Sequence, residues 1–378
     1  MKKPKYEEII IAGAGLAGLT AAVNLVRAGY QVKVYEKKNF IGQHLKETVQ
    51  LLPNWFSKKN VIKELEECGI RINWLNKLEE IEIYLGETKI TIYSKKKPIG
   101  YTVLRGGDNS LEKDLAKQAR EAGVNIVTGK EAEGKPDIVA TGLGKILTVG
   151  YGQVYKGEFE PNKAKVFLGP DCSPSVGYGY LFPHHQQIAT FKISKKIGET
   201  ANLKKNLEKI RERYLNEKLK KENFLYDFGT KRSFEIPKTA VINGSFLVGE
   251  AAGFQDELFR FGMRYAVISG YLAAKAIIEN LDYDKLWKKR FSAEFRKTAR
   301  VRRIFTDFKK KSLSLLPKDL GFEIEIEKFK KIWLFPGFSK TMTLYPFCRP
   351  FVFNRFFLQL ILKSCLRFGL LTNRTLSD

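Results

Sequence analysis

Ile9-Ile-Ile-Ala-Gly-Ala-Gly-Leu-Ala-Gly-Leu-Thr20, followed by a stretch that closes at Val32-Lys-Val-Tyr-Glu36, decides the fold of this chain. Ile9, Ile10 and Ile11 form a short apolar run suited to a buried parallel strand. Gly13 permits a tight turn, Gly15 lets a pyrophosphate approach the backbone, and Gly18 lets the following helix pack close to the sheet. Leu16 and Ala17 open that helix, whose free amides and dipole favour phosphate. Glu36 ends the second strand, where a carboxylate accepts ribose hydroxyls and repels a 2′-phosphate, with Lys37 beside it. The pattern predicts a dinucleotide-binding unit for FAD or NAD rather than NADP.

The chain has 378 residues, enough for two or three domains. Its net charge of +25 comes from 66 Lys and Arg against 41 Asp and Glu, and more than half of the excess lies after Lys285. Such a patch attracts an anionic membrane or nucleic acid, and no nucleic-acid motif accompanies it. Cys68, Cys172, Cys348 and Cys365 show no paired spacing, so neither zinc nor a disulfide framework is expected, and a reduced cytoplasmic setting fits. The apolar run after Met-Lys-Lys-Pro-Lys is the glycine-turn strand itself, so no signal peptide is expected.

Alternating apolar and polar residues at Ile70–Trp74, Glu80–Tyr84 and Lys89–Tyr93 predict half-buried antiparallel strands. The chain then returns through Tyr101-Thr-Val-Leu-Arg105 to a helix from Leu111, and Asp137–Ala140 reads as a strand running into Thr141-Gly142. Residues 151–196 are again strand-rich and aromatic. The expected class is α/β, a Rossmann-type domain interrupted by an antiparallel-sheet substrate domain. The first is assigned residues 1–50, 100–150 and 240–284, the second residues 51–99 and 151–239. A helical, basic C-terminal region spans 285–378.

A second anchor is Ser245-Phe-Leu-Val-Gly-Glu-Ala-Ala-Gly-Phe-Gln-Asp256, a strand ending in an acid and then a small-residue turn. With it, residues 5–280 resemble the geranylgeranyl-reductase branch of the FAD-dependent oxidoreductases that also contain para-hydroxybenzoate hydroxylase. The resemblance implies that Gly249, Glu250 and Gly253 hold the flavin ribityl chain, Glu250 standing where Asp is usual. It puts Thr141 and Gly142 beside the adenine half and Arg105 near the cofactor. Gly262 and Met263 open the helix that faces the flavin's pyrimidine edge. Arg260 stands where relatives usually have Gly, either beside the cofactor or in a surface pair with Glu257. The cofactor implied is non-covalent FAD.

On the substrate side, Tyr178, Tyr180, Phe182 and Pro183 follow the family's Tyr-x-Trp-x-Phe-Pro pattern with Tyr in place of Trp, implying an apolar pocket wall. Ordinary sheet packing uses the same alternation. The family's cysteine motif is absent from Gly42-Gln-His-Leu-Lys-Glu47, and Cys172 is the nearest substitute. Adjacent His184 and His185 point to opposite strand faces, which argues against a shared metal. Tyr178, Tyr180 and His185 are the candidates for pocket wall and proton donor.

The resemblance thus implies hydride transfer from reduced flavin to double bonds of a prenyl lipid. A flavin monooxygenase is the alternative, and a non-catalytic prenyl-lipid carrier a third reading. Trp287, Phe291, Phe295, Ile304 and Phe308 interleave with basic residues, as do Phe351–Leu366 farther on, and both stretches suit peripheral binding to a membrane surface.

Overall fold

The computed structural model describes residues 8–54, 57, 59–73, 75–85, 88–94, 97–142, 144, 147–168, 178–185, 187–196, 202–215, 219–232, 235–257, 259–311, 320–325 and 372–375. Cys172 and the 351–366 segment lie outside the described residues. The α-helices among them are α1 (Leu16–Arg27), α2 (Val61–Glu66), α3 (Leu111–Glu121), α4 (Leu203–Tyr214), α5 (Met263–Glu279) and α6 (Tyr283–Lys311). The chain divides into two compact units. The first combines Met1–Leu75, Val103–Leu147 and Lys231–Ala299, and the second Asn76–Thr102, Thr148–Thr230 and Arg300–Asp378.

The first unit is built on a six-stranded sheet. Its order is Val241–Ile242, Ser245–Leu247, Ile138–Val139, Ile9–Ala12, Val32–Glu36 and Asn125–Thr128. Every pairing is parallel except that of the edge hairpin, Val241–Ile242 with Ser245–Leu247. Strands covered on both faces read as apolar runs, which is why Ile11, Val34 and Ile138 are fully buried. Helix α1 packs against α5 through small residues. A Cβ on Gly270 would stand 2.1 Å from the Ala17 carbonyl oxygen, so the two backbones touch.

The second unit is a nine-stranded sheet among the described residues. The order is Phe224–Arg232, Thr148–Lys156, Ile188–Lys196, Gly179–His184, Lys163–Leu168, Glu80–Leu85, Thr88–Tyr93, Leu320–Glu325 and Thr372–Thr375. Helix α4 covers one face, where Leu207 and Ile210 meet Phe167, Leu181, Phe191 and Ile193. Its exposed Lys204, Lys205, Lys209, Glu212 and Arg213 lie on the outer side of an amphipathic helix, while Glu208 accepts from Gln153 of the sheet and pairs with Arg211.

Several expectations differ from the structure. Residues 51–75 pack within the first unit and not with the sheet, and Ile70 and Ile72 are buried there without forming a strand. The start of α6 also belongs to the first unit. Its Trp287, Phe291 and Phe295 surround Phe254 at centroid distances of 5.0, 5.5 and 5.9 Å, so these aromatics are core and not a membrane-facing surface. The C-terminal region is not wholly helical, since Leu320–Glu325 and Thr372–Thr375 are strands. Asp284 fixes the first turn of α6 by accepting the Ala240 N–H at 2.8 Å and the Trp287 indole N–H at 2.7 Å.

Candidate functional site

The glycine turn of the first unit has the geometry its spacing predicts. Gly13 has φ +105°, and a Cβ there would lie 2.3 Å from the Ala140 carbonyl oxygen. A Cβ on Gly18 would lie 2.1 Å from the Gly13 carbonyl oxygen. Both positions exclude a side chain because backbone occupies the space. Gly15 differs, since nothing stands within 4 Å of a Cβ placed on it. The open side of the turn is thus at Gly15, which precedes Leu16 and supplies no side-chain cap to α1. The amides of the first helical turn are left for a ligand.

Glu36 Oε2 accepts the Ala14 N–H at 3.1 Å, and Oε1 accepts the Lys38 N–H at 2.9 Å. The carboxylate therefore braces the glycine turn while standing at the end of the second strand. Lys37 is exposed and pairs with Glu131. Thr141 follows Ala140 against Gly13, and Gly142 takes φ +85°.

The second glycine turn meets the first. Gly249, at φ +59°, gives its N–H to Ser269 Oγ at 2.9 Å, and a Cβ on it would lie 3.1 Å from the Ala17 Cβ. Glu250 is half-buried in the short 3-10 helix Gly249–Ala252. Gly253 has φ +74° with the Glu235 carbonyl oxygen 2.1 Å from the Cβ position, so only glycine fits. Asp256, fully buried, shapes the following loop by accepting the Phe259 N–H at 2.7 Å and the Phe261 N–H at 2.6 Å. Arg260 is held at φ +61°, a conformation that favours glycine. That accounts for the glycine expected at this position in relatives.

Gly262 leads into Met263 at the start of α5, again without a side-chain cap. Beside it, Gln255 Oε1 is buried with no hydrogen-bond partner among the described residues. A buried acceptor left alone is costly, so the site suits a ligand carrying a donor. Arg105 is committed to protein contacts. It pairs with the buried Glu112 and donates to Gln50 Oε1 at 2.8 Å.

Near this loop an ion network closes the first unit. Arg264, buried at the start of α5, donates to Glu64 Oε2 at 2.7 Å and Glu294 Oε2 at 2.8 Å, and Arg290 also contacts Glu64. Burial alone would raise the Glu64 carboxyl, but Arg264 and Arg290 outweigh it and hold the pKa below its ordinary value. Burial pushes the Cys68 thiol up to about 12, so it is no nucleophile. This network was not legible from spacing, because Glu64 comes from a segment some 200 residues away from Arg264.

In the second unit Tyr178, Tyr180 and Phe182 share one face. Tyr180 stacks on Phe182 with centroids 4.1 Å apart and planes at 16°, and Tyr178 lies 6.0 Å from Tyr180. Pro183 does not join them. With Leu181 it alternates to the α4 side, where both line a cavity of about 300 Å³ with Lys163, Lys165 and Phe159. His185 is also displaced from the aromatic face. The strand ends at His184, and His185 turns out, exposed, at φ +50°. The strand-face histidine is the buried His184. Among the described residues no cluster of His, Cys, Asp and Glu is arranged to hold a metal.

Residues 11–75 match the family model of the NAD(P)-binding Rossmann-like domain. The chain is 23% identical to digeranylgeranylglycerophospholipid reductase 1 of Methanopyrus kandleri, over 77% of this chain and 87% of that protein. Its fold is similar to that of a geranylgeranyl bacteriochlorophyll reductase-like protein of Thermoplasma acidophilum. The TM-score is 0.66 at 20% identity, covering 82% of this chain and 90% of the other. It is also similar to 2-methyl-3-hydroxypyridine-5-carboxylic acid oxygenase, with a TM-score of 0.54 at 17% identity over 82% of this chain and 94% of the other. Over most of its length the chain is thus similar in sequence and in fold to proteins named as geranylgeranyl-type reductases, with a Rossmann-like segment at residues 11–75.

Proposed function

We propose that the protein is an FAD-dependent reductase that saturates double bonds in the prenyl chains of a geranylgeranyl-type lipid. The observation that carries this reading is the convergence of two glycine turns from opposite ends of the chain, Gly249 packing on Ala17 directly behind the open turn at Gly15. One turn fits a pyrophosphate and the other a sugar-alcohol chain, as a single extended dinucleotide requires. Gly13, Gly15, Leu16, Ala17 and Gly18 would hold the pyrophosphate, and Glu36 and Lys37 the adenosine ribose, with Thr141 and Gly142 on the adenine side. Gly249, Glu250 and Gly253 would hold the ribityl chain. Arg260, Gly262 and Met263 would meet the flavin, with the Gln255 acceptor beside them.

Bound and reduced, flavin supplies hydride chemistry. The chain's own residues position the alkene, exclude water and deliver the proton that the second alkene carbon takes up. Tyr178, Tyr180 and Phe182 suit the first two tasks as an aromatic wall, and the phenols of Tyr178 and Tyr180 are the candidate proton source. Similarity to reductases named for a digeranylgeranyl lipid supports the substrate class. An external reductant completes the cycle.

A lipid substrate also makes an anionic membrane surface a proposed partner. No helix of the described residues is long and apolar enough to cross a membrane. The exposed side of α6 carries Lys285, Lys288, Lys289, Arg296 and Lys297, which supports peripheral contact.

The test of the cofactor is the absorbance spectrum of the purified protein, with the mass of the pigment released by acid. FAD in the supernatant is expected. A colourless protein that takes up no added FAD would overturn the proposal. Flavin-dependent oxygenation is the second reading, favoured by the oxygenase among similar folds. Substrate-coupled oxygen consumption would distinguish it.

A further inference from the structure

The aromatic face of the second unit ends in an imidazole. Along Gly179–His184 the side chains of Tyr180, Phe182 and His184 fall on one face by the period of two, with Tyr178 preceding them. Lys192 stands opposite Tyr180, Thr190 opposite Phe182 and Ile188 opposite His184 on the neighbouring strand. His184 is the imidazole that these strands bring to this face, and Lys192, followed at the strand end by Lys196, supplies positive charge on the neighbouring strand.

The ring of His184 is fixed from behind by a buried polar chain. Its Nδ1 lies 3.4 Å from Thr102 Oγ1. Thr102 Oγ1 accepts from Asn76 Nδ2 at 3.0 Å, and the same amide donates to the Pro161 carbonyl at 2.5 Å. Four segments of the second unit thus converge to orient one imidazole. Burying such a chain in an apolar sheet costs desolvation that a leucine would avoid, and a fixed, oriented ring is what it provides. The other ring nitrogen, Nε2, has no partner among the described residues. Burial, aided by the neighbouring His185, holds the pKa down to about 4, so the ring is neutral near pH 7. With Nδ1 against Thr102, the neutral imidazole offers one further hydrogen bond, at Nε2, and no charge.

We propose that His184 is a specificity-determining residue that binds the uncharged oxygen of the substrate's polar end through Nε2, while the prenyl chain lies along Tyr178, Tyr180 and Phe182. This inference rests on the prenyl-lipid reading above. It assigns His184, and not His185, to the aromatic face. It also selects a hydroxyl or ether oxygen as its ligand rather than a phosphate.

The test is equilibrium dialysis of the FAD-loaded protein in detergent against labelled geranylgeraniol and the hydrocarbon of the same chain length. Wild type is expected to bind the alcohol on the order of five-fold more tightly, the worth of one neutral hydrogen bond. His184→Leu is expected to abolish that preference while leaving hydrocarbon affinity unchanged, and His184→Gln to restore part of it. Thr102→Val keeps the imidazole but frees it, and is expected to reduce the preference, which keeps the inference testable if the leucine variant misfolds. A preference that survives in His184→Leu, or one that is undiminished in Thr102→Val, overturns the inference, as does an equal loss for both probes, which marks a structural role. A wild-type protein that binds neither probe overturns the prenyl-lipid reading itself, and the inference with it.

Discussion

A methyl group on Gly18 would lie 2.1 Å from the carbonyl oxygen of Gly13, whereas one on Gly15 would touch nothing within 4 Å. Two glycines of one motif therefore do different work. Gly18 is needed for the fold, and Gly15 leaves open the space in which the proposed dinucleotide would lie. Gly18→Ala is expected to destabilise the first unit by roughly 2–4 kcal/mol, the cost of forcing two backbone segments apart. Gly15→Ala is expected to leave the melting temperature of the apoprotein nearly unchanged and to weaken flavin retention. Thermal melts of both apoproteins, followed by FAD titration, check the distinction.

The buried ion network predicts a large effect from a single truncation. Arg264→Met leaves Glu64 and Glu294 sharing the Arg290 guanidinium, in a site where burial raises the cost of a carboxylate short of a cation. The expected loss is roughly 3–5 kcal/mol, read as a shift in the denaturant midpoint. Adding Glu64→Gln and Glu294→Gln to Arg264→Met is expected to recover part of it.

Glu82 gives the second unit an acid-sensitive tie. Burial would raise its pKa, but hydrogen bonds and charge from Lys89 and Lys165, with the Tyr84 hydroxyl, outweigh it and hold the value at about 2. A folded pKa depressed from the ordinary 4.5 means that its stabilisation is complete above about pH 4.5 and is lost as pH falls towards 2. The upper bound on this term is roughly 3 kcal/mol. Denaturation midpoints across that window should fall for wild type and fall less for Glu82→Gln.

Arg260, at φ +61°, occupies a conformation that costs a non-glycine residue roughly 1 kcal/mol. Arg260→Gly is expected to raise the melting temperature slightly. If the guanidinium stands beside the flavin, as proposed, the same variant lowers the reduction potential of the bound cofactor, because a cation stabilising the anionic reduced form is removed. An unchanged potential would assign Arg260 to the surface.

What was legible in the sequence was the chemistry of the turns. Gly13, Gly18, Gly249 and Gly253 stand where close backbone or a left-handed turn admits no side chain, and a glycine motif records such places directly. Side-chain direction was less legible. Pro183 sits among aromatics in sequence yet lines the cavity on the other face with Leu181 and Phe159, because one step along a strand reverses the face. His185 looked like a strand residue, but the strand ends one position earlier. Trp287, Phe291 and Phe295 have the same helical period whether they meet a membrane or a core. Phe254, far away in the chain, decides that they are core.

With those aromatics buried, the proposed membrane contact rests on the exposed cations of α6. Binding to anionic liposomes is expected to weaken with salt and when Lys285, Lys288 and Lys289 are replaced by Glu, with FAD retained. Equal binding to neutral liposomes would remove the electrostatic account.

Prenyl reduction by flavin leaves its record in the mass of the lipid. The most direct measurement is mass spectrometry of a geranylgeranyl glycerophospholipid after anaerobic incubation with the FAD-loaded protein and dithionite, beside a control with free FAD. The account predicts a gain of two hydrogens for each double bond reduced, dependent on the protein and diminished in Tyr180→Ala. An unchanged lipid mass, or instead a gain of one oxygen when air is admitted, would contradict it.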